Sequence, residues 1–127
     1  MEDKEEKYLF LDDIRHNYDA FNYTNKSMFL QKKWVIVRNY EEFVQYITNN
    51  GMPDFISFDH DLADEHYDHD NIQDYKEKTG LECAKWLVDY CIDNNVELPG
   101  YFCHSQNPVG KDNIIGYLEN YQKSINI

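Results

Sequence analysis

The sequence predicts an α/β fold in which a short, mainly parallel sheet of about four strands carries helices on both faces. Two observations support this prediction. Short apolar runs that are typical of buried strands alternate along the chain with segments whose apolar residues recur at helical spacing. Alternation of this kind favours parallel strands that are joined by helical crossovers.

Four apolar runs are the predicted strands. They occupy residues 8–11, 34–37, 54–58 and 100–103. Each is short and mostly apolar, as expected for a strand that is covered on both faces. The first, third and fourth runs stop abruptly at polar residues, which places ionisable side chains at three strand ends.

Capping residues predict where three helices begin. Asn39 and Thr79 each precede a glutamate by three residues, which is the pattern of a capping box. Asn107 is followed by Pro108, and proline is well placed at the first position of a helix. Apolar residues follow each of these starts at helical spacing.

Two segments have a less regular pattern. Residues 16–33 are expected to hold either a short helix or a long loop. The stretch at about 62–78 is crowded with acidic residues and has few aliphatic anchors. It is interpreted as a solvated loop, or alternatively as a lid that contributes a ligand to a nearby pocket. No linker divides the chain, so residues 1–127 are expected to form one domain.

Composition limits the possible partners. The net charge of −12, from 12 basic and 24 acidic residues, repels a nucleic-acid backbone over most of the surface. Duplex nucleic acid is therefore not an expected partner, and any phosphate needs a local basic group or a bound cation. No apolar run approaches the roughly 20 residues of a membrane span, so no membrane partner is expected either.

The cysteines and the N-terminus predict the compartment. Cys83, Cys91 and Cys103 contain no CxxC pair and fit buried apolar thiols better than a redox or zinc role. The charged N-terminus lacks the apolar core of a signal peptide. These features favour a soluble, cytoplasmic protein.

The residues at the three strand ends are expected to form one acidic pocket, because ligands bind beyond the carboxyl ends of parallel strands. The residues concerned are Asp12, Asp13, Asp59, Asp61 and His104. Several neighbouring carboxylates repel one another unless a divalent cation lies between them. Oxygen ligands select Mg²⁺, Mn²⁺ or Ca²⁺, and nearby histidines favour Mn²⁺ or another transition metal. The four aspartates are therefore predicted metal ligands for Mg²⁺ or Mn²⁺, with turn capping as the alternative.

Other polar residues near these strand ends are candidates for substrate binding and proton transfer. Arg15 either anchors a phosphate or pairs with one of the acids. His104 is a general acid, a general base or a ligand, or else makes a structural hydrogen bond. Ser105 is a candidate ligand of a phosphoryl oxygen, whereas Asn107 caps a helix whose N-terminus favours an anion. Lys111 is interpreted first as surface charge.

The orientation of His60 stays open at this stage. Adjacent residues at a strand end point to opposite faces. Asp59 and Asp61 are therefore expected to share the pocket, while His60 faces either the pocket or the core beneath it.

Four sequence blocks occur in order along most of the chain. They are LFLDDIR at 9–15, VRNYEEF at 37–43, ISFDHDL at 56–62 and HSQNP at 104–108. Together they resemble the cyclic-phosphate-processing receiver domain family. The resemblance implies a three-layer, receiver-like (flavodoxin-like) domain that hydrolyses or processes cyclic phosphates on nucleotides or RNA ends. Carried over by position, it implies an active centre made of the five strand-end residues named above.

The resulting hypothesis is a metal-dependent phosphoesterase that acts on a small phosphate ester or on the cyclic-phosphate end of a nucleotide. Asp59, His104, His60 and Arg15 are its expected catalytic residues. The alternative is a non-enzymatic, receiver-like signalling or binding module with a metal pocket, in which Asp59 matches the phosphoacceptor. Signalling receivers sense the phosphate with a Lys-Pro pair after a fifth strand, and this sequence has no such pair. A third hypothesis is a metal-buffering protein that works through the acidic loop.

Overall fold

The computed structural model describes residues 6–60 and 79–125, which form four strands and five helices. The strands are β1 (Tyr8–Leu11), β2 (Trp34–Val37), β3 (Phe55–Phe58) and β4 (Gly100–Cys103). The helices are α1 (Asn17–Thr24), α2 (Met28–Gln31), α3 (Tyr40–Asn50), α4 (Gly80–Asn94) and α5 (Pro108–Ile125).

The four strands make one parallel sheet in the order β2-β1-β3-β4. Tyr8 at the start of β1 aligns with Trp34 on one side and with Phe55 on the other. Phe58 at the end of β3 aligns with Cys103 at the end of β4. The carboxyl ends of β1, β3 and β4 are therefore neighbours, which confirms the predicted parallel α/β fold.

Alternate residues of the strands face two separate cores, as the period of two requires. Leu9 and Leu11 face a large core that α3, α4 and α5 cover. Phe10 faces a smaller core that α1 and α2 cover through Ala20 and Phe29. The sheet thus lies between two helical layers, and the three-layer, receiver-like architecture is confirmed.

The predicted capping residues begin the three long helices. The side-chain oxygen of each accepts a hydrogen bond from the backbone N–H three residues later, at 2.8 Å for Asn39, 3.4 Å for Thr79 and 3.0 Å for Asn107. These bonds satisfy N–H groups that the first turn of a helix leaves without a partner. No helix within residues 6–60 and 79–125 combines the length and apolar character that crossing a membrane requires.

Residues 16–33 contain two short helices, α1 and α2, rather than one helix or a loop. Their helical pattern is weak in the sequence because each helix has only one fully buried side chain, and one apolar position cannot produce a periodic pattern. The buried residues are Ala20 in α1 and Phe29 in α2. The Asn17 side chain ties the two together by donating to the Phe29 carbonyl at 2.7 Å. The acidic stretch at about 62–78 lies outside the described residues.

All three cysteines are buried free thiols. Burial raises the pKa of Cys91 and of Cys103 to about 11, and it raises the pKa of Cys83 as well. A protonated, buried thiol is a poor nucleophile and a poor metal ligand. Their surroundings match the interpretation of these residues as apolar core side chains.

Candidate functional site

A pocket of about 410 Å³ opens at the carboxyl ends of β1, β3 and β4. Its lining residues are Asp12, Asp13, Ile14, Arg15, Asp59, Ser105, Gln106 and Asn107. Three carboxylates therefore share one small volume with a single guanidinium group. The structure brings together most of the residues that the strand ends predicted, while Asp61 lies outside the described residues.

Asp12 forms the buried end of this pocket, with an exposed fraction of 1%. Its Oδ1 accepts hydrogen bonds from the backbone N–H of Arg15 at 2.8 Å and of Ile14 at 3.0 Å. Its Oδ2 lies 3.0 Å from Nε2 of His104. Burial acts to raise the pKa of Asp12, but the hydrogen bonds from His104 and the two amides outweigh it and lower that pKa. Asp12 is therefore an ionised carboxylate.

His104 lies beneath Asp12, with its imidazole stacked on the Phe10 ring at a centroid distance of 4.3 Å. Its Nδ1 lies 2.7 Å from the Ser57 hydroxyl oxygen. Burial lowers the pKa of His104, although the hydrogen bond to Asp12 acts in the opposite direction. Since ionised Asp12 can only accept, the neutral ring donates from Nε2 to Asp12 and accepts at Nδ1 from Ser57.

Asp12, Asp59 and His104 form a group that can hold a metal ion. Each offers one ligand atom, these atoms lie within 4.8 Å of one another, and all three residues are buried. Two carboxylates with one imidazole are a donor set that Mn²⁺ and similar divalent cations accept. A cation bound to Nε2 would displace the proton that this nitrogen donates to Asp12, so His104 would then donate from Nδ1 to Ser57 instead.

Asp13 lines the same pocket but is only partly buried. Burial, and then the negative charge of Asp12, raise the pKa of Asp13 to about 6. Burial and a neighbouring negative charge both disfavour the ionised form of a carboxyl group, so they act on Asp13 in the same direction. Asp13 lies outside the three-residue ligand group, so its assignment as a metal ligand remains a prediction.

His60 is absent from the pocket lining and lies against α5. Its imidazole occupies the position that a Cβ on Gly110 would take, so the ring packs directly on the helix backbone. The side chain of His60 and that of Asp59 are thus directed to different surroundings, as adjacent residues at a strand end require.

Gly80, the first residue of α4, contacts the backbone that follows β3 and holds it in place. The Gly80 N–H donates to the His60 carbonyl at 2.8 Å. A Cβ on Gly80 would overlap the carbonyl oxygen of Asp59. Only glycine therefore allows the helix to approach closely enough to hold Asp59 at the pocket.

Arg15 is directed at the pocket by two neighbours. Its Nη2 donates to Oε1 of Gln106 at 3.0 Å, and its Nη1 donates to the Tyr23 hydroxyl at 3.4 Å. Its guanidinium carbon lies 5.2 Å from the centre of the Tyr23 ring. Among residues 6–60 and 79–125 it makes no ion pair with a carboxylate. Arg15 was expected either to anchor a phosphate or to pair with one of the acids. This geometry favours the first alternative, because the guanidinium group remains available to an anion.

The loop after β4 contributes Ser105 and Asn107. The Ser105 hydroxyl oxygen accepts from the Asn107 backbone N–H at 3.1 Å, which leaves its own proton available to an acceptor in the pocket. Asn107 caps α5, so the positive end of an 18-residue helix faces the pocket. Both residues line the pocket, and their assignment to a phosphate stays a prediction.

Sequence reasoning missed three residues that hold this site together. Arg38 donates to the carbonyl oxygens of Asp12 at 3.2 Å and Arg15 at 2.7 Å, and so braces the loop after β1. It directly follows β2, so the strand-end argument applied to that strand identifies it. Ser57 is a lone hydroxyl within an apolar strand, which is a detectable signal. Tyr23 comes from the segment whose pattern was hardest to interpret.

This architecture and pocket define a receiver-like α/β domain with a buried acidic centre. The sequence model of the cyclic-phosphate processing receiver domain family matches residues 7–120, and the chain belongs to that family. No curated protein matches the chain. A solved structure titled as the yeast Spc42 trimeric coiled coil, amino acids 181–211, in a fusion aligns at a TM-score of 0.46 and 18% identity. That alignment covers 99% of this chain and 87% of the other.

Proposed function

We propose that this protein is a metal-dependent phosphoesterase that processes cyclic phosphates or small phosphate esters of nucleotides or RNA ends. The observation that supports it best is the meeting of Asp12, Asp59 and His104, whose ligand atoms lie within 4.8 Å of one another although they follow three different strands. Membership of a family named for cyclic-phosphate processing supports the same substrate class.

The charge of the pocket makes a cation a condition of this function. Three carboxylates line it, and Arg15 is its one cationic lining residue among those described. A phosphate that entered this lining alone would meet net negative charge. Asp12, Asp59 and His104 would hold a divalent cation, with Asp13 and Asp61 as further predicted ligands. Such a cation supplies Lewis-acid stabilisation of the charge on the phosphoryl oxygens.

Three groups of the chain would orient the phosphate. The Arg15 guanidinium carries five N–H donors, of which Tyr23 and Gln106 occupy one each. The Ser105 hydroxyl and the N-terminus of α5 line the same pocket. Together they would bind the non-reacting oxygens and hold the ester bond toward the carboxylates.

Proton transfer to the leaving oxygen is assigned to His104 or His60. Both ring nitrogens of His104 are engaged, so a transfer from this ring must break its bond to Asp12. His60 lies outside the lining of the pocket. His104 therefore acts first as the group that holds Asp12 in place. An acid role for His104 requires that bond to open during turnover, and it applies only where Asp12 and Asp59 hold the cation without Nε2 of His104.

The signalling alternative is less well supported. Within residues 6–60 and 79–125 the sheet ends at β4 and contains no fifth strand from which a phosphate-sensing lysine could follow. Incubation with acetyl phosphate or beryllofluoride tests this alternative directly. Stable modification of Asp59 would favour signalling over hydrolysis.

The test of the main proposal is hydrolysis of 2′,3′-cyclic nucleotides and generic phosphodiesters with Mg²⁺ or Mn²⁺. We expect metal-dependent turnover by the wild type and a loss of about 100-fold or more in Asp59→Asn. The matched control is Asp93→Asn, which removes the same charge from an exposed position of α4 and should retain full activity. A folded wild-type protein that turns over none of these substrates with either metal would overturn the proposal.

A further inference from the structure

A second pocket, of about 440 Å³, lies beside the acidic one. Its lining includes Tyr23, Lys26, Phe102, Ser105 and Lys111. It contains two lysines and, among the described residues, no aspartate or glutamate. In a chain whose net charge is −12, this is a local reversal of sign.

Two ammonium groups converge on one aromatic ring in this pocket. Nζ of Lys26 lies 5.1 Å from the centre of the Phe102 ring, and Nζ of Lys111 lies 5.5 Å from it. The two lysines come from different parts of the fold, one from the loop after α1 and the other from α5. The ring attracts each ammonium group weakly, but two cations held near one point repel each other.

Among the described residues, no carboxylate pairs with either lysine to relieve this repulsion. Within residues 6–60 and 79–125, neither Lys26 nor Lys111 forms an ion pair. An anion bound in this pocket would offset the charge of both ammonium groups. Lysines interleaved with aromatic rings, here Phe102 and Tyr23, are typical of surfaces that bind single-stranded nucleic acid.

The two pockets are adjacent and share a lining residue. Ser105 lines both of them. Tyr23 lies between them, because its hydroxyl donates to the His104 carbonyl at 2.8 Å and accepts from Arg15 at 3.4 Å. An anion in the second pocket would therefore lie on the other side of Ser105 from a phosphate in the first.

We propose that Lys26 and Lys111 form a second phosphate-binding site, which holds the phosphodiester group next to the cyclic phosphate of an RNA 3′ end. This inference rests on the proposed function and extends it, because it assigns the substrate class to strand ends rather than free mononucleotides. The lysines bind and position the strand without touching the reacting phosphate.

The first measurement is binding without metal or turnover. The trinucleotide ApApA, which has no terminal phosphate, is titrated at low salt while the backbone amide signals of Lys26, Phe102 and Lys111 are followed by NMR. We expect these signals to shift, and the Kd to rise about tenfold in the double variant Lys26→Gln/Lys111→Gln. Inorganic phosphate is titrated in parallel and should bind more weakly than the trinucleotide.

The matched control is the double variant Lys32→Gln/Lys85→Gln. It changes the net charge equally and also removes lysines that lie over aromatic rings, at 5.2 Å from Tyr8 and 6.0 Å from Tyr117. Neither ring belongs to the second pocket. The control should bind ApApA as the wild type does.

The second measurement is kinetic. The Lys26→Gln/Lys111→Gln variant should raise KM about tenfold for a dinucleotide that ends in a 2′,3′-cyclic phosphate, with kcat unchanged. Both constants for a 2′,3′-cyclic mononucleotide should stay as in the wild type. Equal losses on both substrates would overturn the assignment.

The binding result separates this inference from the proposed function. The protein could show NMR shifts with ApApA that are smaller in the Lys26→Gln/Lys111→Gln variant and yet hydrolyse none of the substrates. This result would support the second site and count against the phosphoesterase proposal. Absence of shifts at millimolar ApApA, shifts that persist in the variant, or equal affinity for inorganic phosphate would overturn the second site.

Discussion

Ser57 lies in β3, His104 directly follows the neighbouring strand β4, and the hydroxyl oxygen of Ser57 lies 2.7 Å from Nδ1 of His104. Both side chains are buried, with exposed fractions of 0% and 1%. Because the other ring nitrogen faces Asp12, this contact fixes the tautomer and orientation of the imidazole. A buried chain of three side chains thus connects the middle of β3 to the acidic pocket.

Ser57→Ala should therefore destabilise the protein by about 1–3 kcal/mol, because it leaves Nδ1 of His104 buried without a partner. The measurement is the free energy of unfolding in urea, compared between variants whose unfolding free energy depends equally on urea concentration. Ser124→Ala is the control, since Ser124 is exposed and its hydroxyl donates to the Tyr121 carbonyl at 2.6 Å. It should stay within about 0.5 kcal/mol of the wild type. A similarly small effect at Ser57 would show that the contact does not hold the imidazole.

The strands and the three long helices were predictable because each signal is local. An apolar run of four residues or a cap such as Asn39 is visible in a few consecutive positions. The Ser57–His104 contact was not predictable, because the two positions are 47 residues apart and only the register of β3 and β4 brings them together. Likewise, α1 and α2 depend on single anchors such as Phe29, too few to produce a periodic pattern.

The candidate site, like the fold, could be predicted only in part from the sequence. The residues at strand ends, such as Asp12 and Asp59, were predictable because parallel topology alone brings them together. The tautomer of His104 and the direction of Arg15 depend on side-chain partners from distant segments, Ser57 and Tyr23. No spacing rule relates those positions to the strand ends.

Two glycines of α5 provide a matched pair of variants. A Cβ on Gly110 would collide with the His60 ring, whereas nothing lies within 4 Å of a Cβ on Gly116. Gly116→Ala should stabilise the protein by about 0.5–1 kcal/mol, since alanine favours the helix. Gly110→Ala should destabilise it by about 1–3 kcal/mol through overpacking. Thermal unfolding of both variants tests the prediction, and equal stabilisation by the two would contradict the packing of His60 on α5.

Arg38 should be required for the shape of the loop after β1. Arg38→Met removes the donors to the carbonyls of Asp12 and Arg15, at a cost of about 1.5–3 kcal/mol. Arg38→Lys keeps the charge but offers a compact ammonium instead of a planar group, so it should recover only part of the loss. Urea unfolding measures both variants. Full stability in Arg38→Met would show that the loop holds its shape without this brace.

Asp13 should make stability depend on pH. Its pKa of about 6 in the folded protein lies above its ordinary value of 3.8, so folding favours the protonated form. The contribution of this group is fully present below pH 3.8 and is lost as the pH rises through about 6. Asp13→Asn keeps the neutral form, and its advantage over the wild type should grow by about 1–2 kcal/mol between pH 4 and pH 8, allowing for solvent screening.

The pH series has its own control. Asp93→Asn removes an exposed charge of α4 and should show no growth in stability over the same range. Added Mg²⁺ or Mn²⁺ at pH 8 should reduce the advantage of Asp13→Asn, because a cation in the pocket stabilises the wild-type carboxylate. An advantage that is constant from pH 4 to pH 8 would contradict the crowding of Asp12 and Asp13.

Metal binding itself should stabilise the fold. A cation that binds only the native state adds about 2.7 kcal/mol of stability at 100 times its Kd. With Mn²⁺ the wild type and Asp93→Asn should show this gain in thermal unfolding, whereas Asp12→Asn and Asp59→Asn should lose most of it. Mn²⁺ electron paramagnetic resonance gives the number of bound ions independently of stability. If Asp12→Asn and Asp59→Asn bound Mn²⁺ as tightly as the wild type, the cation would lie elsewhere, and the phosphoesterase proposal would lose the charge that its phosphate requires.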